Sequence, residues 1–218
     1  MRRIGILSVL FSVLMISCTS GEESKSEKSA GSEDVSTSEL TMSKEVDLGL
    51  PSGNIWAGWN LGADSIGQIG NYYSWGELEP KKEYTKNTYK YQGKILEEDI
   101  ASTEYDVVSS LWGGNWHIPT KDDFAELINN CKQEWVTYGD ISGYKFIGPN
   151  GKSIFFPAAG CFENMSPFNQ NSYGYYWTSI DNVKGFRANN LSFYKGRLVI
   201  DKYNRYAGLT IRPVKSAK

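Results

Sequence analysis

Glu77 and Glu79 are two carboxylates whose spacing invites a catalytic reading, because sugar hydrolysis needs a pair of acids roughly 5 to 10 Å apart across the substrate. A contact that simply holds a loop accounts for the run Trp75-Gly76-Glu77 equally well. His117 is the sole histidine, which excludes a metal cluster built from several His and any relay in which they cooperate, so its expected role is structural. Cys131 and Cys161 admit two readings. In an oxidising compartment they can pair, closing a loop worth roughly 3 to 4 kcal/mol of chain entropy. Alternatively Cys131 packs on an apolar helix face as a small hydrophobe. No glycine-rich loop ending in Lys-Ser/Thr cradles a phosphate, and no basic helix or nucleic-acid motif is present. Neither a cofactor nor a metal is expected.

Recognition chemistry is more visible near the C-terminus. Residues 173–206 concentrate Tyr, Asn and Arg, the types that combine rigid amphipathic contact area with adaptable hydrogen bonds. Arg187, Tyr194, Tyr203, Asn204 and Arg205 are the expected ligand contacts, whereas Tyr176 and Trp177 are assigned to the core. Such residues need a scaffold that holds late loops open.

The best-marked element of that scaffold is a helix beginning after Thr120. Thr120 is a good N-cap, Pro119 fixes the chain just outside it, and Asp122 and Asp123 place negative charge in the first turn. Phe124, Leu127, Ile128 and Cys131 follow at i, i+3, i+4 and i+7, predicting one buried face, with Trp112 and Trp116 covering it. A shorter helix is predicted within residues 99–111, turning Val107, Val108 and Leu111 inward. Residues 46–50 and 55–60 read as a hairpin around Pro51-Ser52-Gly53-Asn54, and residues 144–147 and 153–156 as another around Gly148-Pro149-Asn150-Gly151. Short strands are also predicted at residues 72–75, 175–179, 190–194, 197–200 and 209–214, with Lys195-Gly196 as a two-residue turn. Residues 77–91 lack a period and read as an irregular excursion. Many short strands, few helices and 22 glycines make this an α+β chain with long loops.

Several motifs also carry a family resemblance. Trp112-Gly113-Gly114-Asn115-Trp116-His117-Ile118-Pro119-Thr120 before an amphipathic helix resembles the hallmark of the bacterial major paralogous domain family, FISUMP. Val46-Asp47-Leu48-Gly49-Leu50-Pro51-Ser52-Gly53, Tyr72-Tyr73-Ser74-Trp75-Gly76-Glu77, Phe156-Pro157-Ala158-Ala159-Gly160, Gly174-Tyr175-Tyr176-Trp177-Thr178-Ser179 and Ile211-Arg212-Pro213-Val214 agree with it, in order, across residues 46–214. A more distant similarity to the formylglycine-generating-enzyme branch implies a C-type-lectin-like fold, not a reaction. That branch holds copper with a late cysteine pair, and residues 162–218 contain no Cys. The calcium signatures Glu-Pro-Asn and Trp-Asn-Asp of sugar-binding lectins are also missing. Some related lectin-like proteins vary at positions just before a closing Arg-Pro-Val, which is where Tyr203-Asn204-Arg205-Tyr206 stands.

The N-terminus points to the cell envelope. Arg2 and Arg3 precede an apolar run over residues 4–16, too short for the ~20 residues of a spanning helix, and Leu14-Met15-Ile16-Ser17-Cys18 resembles a lipobox. Residues 1–17 therefore read as a lipoprotein signal peptide and Cys18 as the lipidated residue, held stably where two or more acyl chains insert. Residues 19–44, with eight Ser, six acids and no aromatic, cannot bury enough apolar area to offset ordering entropy and read as a flexible tether of roughly 28 Å. Glu22 and Glu23 resemble a signal for the outer face of the outer membrane, or are ordinary linker acids. Residues 45–183 carry 18 acids and 9 bases, whereas residues 184–218 carry one acid and nine bases. A basic strip of this kind either invites an anionic partner or complements the acidic body internally. The expectation is a single C-type-lectin-like α+β domain over residues 45–218, with two short helices, short antiparallel strands and long loops. Its expected function is non-catalytic binding of a surface glycan or protein, with a structural envelope or fimbria-associated role and a carbohydrate-active enzyme using Glu77 and Glu79 as alternatives.

Overall fold

The computed structural model describes residues 43–183 and 185–217, so the signal peptide, Cys18 and nearly all of the tether lie outside the described residues. In chain order the elements are β1 (Glu45–Asp47), β2 (Ile55–Ala57), α1 (Val107–Trp112), β3 (Trp116–His117), α2 (Lys121–Asn130), β4 (Lys132–Tyr138), β5 (Ile141–Ile147), β6 (Ser153–Pro157), β7 (Cys161–Glu163), β8 (Ser166–Phe168), β9 (Tyr173–Val183), β10 (Arg187–Tyr194), β11 (Arg197–Asn204) and β12 (Val214–Lys215). They form four antiparallel sheets, ordered β1-β2-β12-β3, β11-β10-β9, β4-β5-β6 and β7-β8. The described residues thus form a mostly-sheet α+β domain with two short helices. Among the described residues no helix is long and apolar enough to cross a membrane.

Helix α2 forms where its local signals place it. Thr120 Oγ1 accepts from the Asp123 amide at 3.1 Å while Asp123 Oδ2 accepts from the Thr120 amide at 2.8 Å, closing a reciprocal capping box. Phe124 and Leu127 are fully buried, and Ile128 and Cys131 complete the face. The cover differs from the expected one. Trp56 and Phe156 lie over Phe124 with ring centroids at 5.4 and 6.3 Å, whereas Trp112 and Trp116 pack edge to face in a second core. The reason is β3, which pairs with β12 through His117↔Val214 and Trp116↔Lys215 and so commits Trp116 away from α2.

That second core rests on α1. Asp106 caps it through the amides of Val108 and Ser109, and also accepts from the amides of Ser102 and Ile118, tying the helix start to the loop before α2. Val107 and Val108 are buried as expected, but Leu111 is 59% exposed. The helix has only six residues, and at its end Trp112 turns toward the core in place of Leu111.

The two cores are separated by the sheet β11-β10-β9. Tyr176, Leu191, Phe193, Leu198 and Ile200 face the core beneath α2, while Trp177, Ala188 and Tyr203 face the core beside α1. Between them, Gly174 lets Phe193 lie against β9, since a Cβ there would meet the Phe193 ring at 2.0 Å. The hairpin β5-β6 forms around Gly148–Gly151 as predicted, and β10-β11 turns at Lys195-Gly196, where Gly196 supplies a φ of 87°. Other strands depart from expectation. Residues 72–75 make a single bridge, Tyr73↔Leu209, and residues 209–213 bond in turn to Tyr73, β9, Leu61 and β2, leaving β12 only two residues.

Candidate ligand-binding face

The five expected contacts do not converge. Arg187 pairs with Asn204 at one end of β10 and Tyr194 pairs with Arg197 at the other, seven residues or about 23 Å away. Arg205 is a correction: it is fully buried, so it offers nothing to a ligand at the surface. Its Nε donates to the Tyr89 hydroxyl at 3.0 Å, Nη1 to the Lys94 carbonyl at 3.2 Å, and the guanidinium lies 4.3 Å from the Trp75 ring centre, with Asp181 at 3.8 Å. Tyr203 is half-buried, and its hydroxyl donates to Glu163 Oε1 at 2.9 Å and sits 3.4 Å from Cys161 Sγ. Since the phenol proton goes to Glu163, the thiol is left as donor to the phenol oxygen. Burial first, then Cys161 and Glu163, push the Tyr203 phenol far up, so it remains neutral. Tyr203 thus braces β11 against β7.

The basic strip is also partly internal. Of the nine bases in residues 184–218, Arg205 and Arg212 are fully buried and Lys215 pairs with Glu45 at 3.1 Å. Arg187, Lys195, Arg197 and Lys202 are exposed beside the one acid, Asp201, so the charge asymmetry read from the sequence overstates the basic surface without removing it.

What the fold does assemble is a tyrosine row on the open end of the β11-β10-β9 sheet. Alternation places Tyr173 and Tyr175 on the face opposite Gly174 and Tyr176, and the cross-strand register sets Tyr173 beside Tyr194 and Tyr194 beside Arg197. Tyr173 and Tyr175 are parallel within 4° at 6.0 Å between ring centres. Tyr194 contacts Tyr173 at 5.2 Å and Tyr203 contacts Tyr175 at 5.4 Å, so the row runs Tyr194, Tyr173, Tyr175, Tyr203. A shallow cavity of about 190 Å³ lies along it, bounded also by Ser192, Arg197, Val199 and Asp201. Of the expected contacts, Tyr194 and Tyr203 belong to this face. Tyr173, Tyr175, Arg197 and Asp201 were not among them; the Lys195-Gly196 turn sets Tyr194 opposite Arg197, but the pairing of β9 with β10 that brings Tyr173 and Tyr175 beside them has no local signal.

The other candidate chemistry is tied into the frame. Glu77 accepts from the Lys90 amide at 2.7 Å and pairs with Lys81 at 2.7 Å, both oxygens being engaged, while Glu79 is exposed. His117 is buried, with Nδ1 2.9 Å from the Ile118 carbonyl and Nε2 2.8 Å from Ser216 Oγ. Cys131 and Cys161 are both free and buried, one in each core, so the disulfide reading is corrected. Burial and then Glu126 push the Cys131 thiol from 9.0 up to about 11, and burial raises Cys161 as well. Two thiols should therefore titrate in the unfolded, unreduced Cys18→Ala chain, with Cys131 reacting far more slowly when folded, because it is buried and its thiolate is disfavoured. Ellman titration checks both, and an unfolded count of zero would restore the disulfide.

Compared with protein-family models, curated proteins and solved structures, the chain matches none. The functional argument therefore rests on the face itself.

Proposed function

We propose that this protein is a lipid-anchored outer-membrane lipoprotein, facing the cell exterior, whose FISUMP-type, C-type-lectin-like domain binds a surface ligand without turning it over. The observation that carries the reading is the tyrosine row, in which Tyr194 is exposed and Tyr173 half-buried at the open end of the sheet, while Tyr175 and Tyr203 pack at the margin of the second core. Rigid aromatic area at an open sheet end is what recognition uses, because little side-chain entropy is lost on contact. The engagement of both Glu77 oxygens supports binding over hydrolysis, since a general acid or base must be free to meet a substrate proton. Trp-Gly-Glu then serves as the loop-holding contact, drawing Lys81 and Lys90 together.

A structural envelope role draws on a different observation. The hairpin β7-β8 exposes Met165 and Phe168 by 75% and 59%, and β8 pairs on one side only. A stoichiometric complex with another envelope subunit, lost in Phe168→Ser, would favour that reading.

Cell fractionation tests the anchor. Cys18→Ala should move the protein from the membrane to the soluble fraction, and a protein that stayed in the membrane fraction would sink the lipoprotein reading. Glycan and peptide turnover, if found and then abolished by Glu77→Gln, would replace binding with catalysis.

A further inference from the structure

We infer that the cavity on the tyrosine row takes one neutral pyranose residue of a glycan. This rests on the binding role proposed above and narrows it to a ligand class.

Size comes first. At about 190 Å³ the cavity falls below the several hundred Å³ typical of sites for drug-sized molecules, so it suits a single small ring rather than an extended chain of groups. A protein partner would require roughly 800 Å² from this side, far more than a shallow depression of eight lining residues presents as a continuous surface.

The lining then selects the chemistry. Tyr173 and Tyr175 present nearly parallel rings, whose electron-rich faces receive the weakly positive C–H groups of a saturated ring. Around them stand groups of both hydrogen-bonding senses. Arg197 is exposed and donates only, and Asp201 is exposed and accepts only. The two lie on the same face of β11, four residues or about 13 Å apart, at opposite ends of the cavity with Val199 between them. Tyr hydroxyls and Ser192 Oγ can do either, and Ser192 already accepts from Asn190 at 2.8 Å, leaving its proton to donate. A sugar ring carries hydroxyls that each donate and accept, which this array satisfies from both ends.

The net charge of the lining does not select an anion. Arg197 and Asp201 cancel within the lining, and Lys195 extends from the turn outside it. Only an anion long enough to span the tyrosines would meet Asp201 at one end as well as Arg197 at the other.

Saturation-transfer NMR and calorimetry on the full-length protein, in micelles of a detergent without a sugar headgroup, test this with the methyl glycosides of glucose, galactose, mannose and N-acetylglucosamine. At least one should bind, with affinity changing less than about twofold between low and high salt, since no net charge is matched. Tyr173→Ala and the exposed Asp201→Asn should each weaken it about tenfold or more, with unchanged circular dichroism. If no neutral glycoside binds but a sialylated glycan or a protein does, and Tyr173→Ala abolishes that, the ligand class is wrong while the face stands. If a glycoside binds and ignores both substitutions, or nothing binds this face, the inference falls, and in the second case the proposed function falls with it.

Discussion

Arg212→Met should lower the unfolding free energy by about 3 kcal/mol, shifting the melting temperature by roughly 6 to 12 °C. Arg212 is fully buried in the core and makes three hydrogen bonds: Nε to Asn60 Oδ1 at 2.9 Å, Nη1 to the Ala57 carbonyl at 3.1 Å and Nη2 to the Phe155 carbonyl at 2.6 Å. Its guanidinium also lies 4.5 Å from the centre of the Phe156 ring. These acceptors come from two separate segments, β2 with the loop that follows it and β6, so one side chain pins the first sheet to the third. Methionine replaces the stem but orphans three acceptors at roughly 1 to 3 kcal/mol each, and only part of that is recovered by no longer burying a charge. Lysine should rescue little, because a point charge on a flexible stem cannot reproduce a planar fork with three partners. Urea unfolding of the full chain, followed by tryptophan fluorescence, measures the loss. A midpoint within error of the parent would mean that the orphaned acceptors find other partners at no cost.

Arg212 also shows where sequence reading stops. Its partner Asn60 lies 152 residues away and Ala57 lies 155 away, and no local pattern distinguishes this arginine from an exposed one. Helix α2 was legible because its signals are local: the Thr120 cap, the first-turn acids and the 3.6 spacing act within ten residues. The turns Gly148–Gly151 and Lys195-Gly196 were legible for the same reason. Strand β4 was not, since Lys132–Tyr138 is exposed or half-buried throughout and never alternates cleanly. It forms by pairing with β5, where Trp135 meets Tyr144 edge to face at 5.2 Å. The candidate face lay between these cases. Its composition was visible over residues 173–206, but composition weighs a buried Arg205 and an exposed Arg197 alike. Only the register between β9, β10 and β11 separates them.

Arg205→Met should make that separation measurable. The side chain bridges the end of β11 to the loop carrying Tyr89 and Lys94, whose bonding partners lie 116 and 111 residues back in the chain. Its loss leaves the nearly buried Asp181 carboxylate without its closest cation, strips the Tyr89 hydroxyl of a donor, and removes a cation stacked on Trp75. Breaking such a site costs about 3 kcal/mol, even though Arg205 Nη2 has no partner to lose. Binding should behave differently. Arg205 follows Asn204, which pairs with Arg187 at the end of β10 remote from Tyr194, and effects at sites so far apart add independently. Measured well below its lowered melting temperature, the Arg205→Met protein should keep its glycoside affinity within about twofold, whereas Arg197→Ala should keep its stability and weaken binding about tenfold. Calorimetric titration of both variants beside their thermal unfolding curves gives the four quantities needed. If folded Arg205→Met lost affinity as steeply as Arg197→Ala, the ligand would be reading the buried end of the sheet, and the tyrosine row would be scaffold.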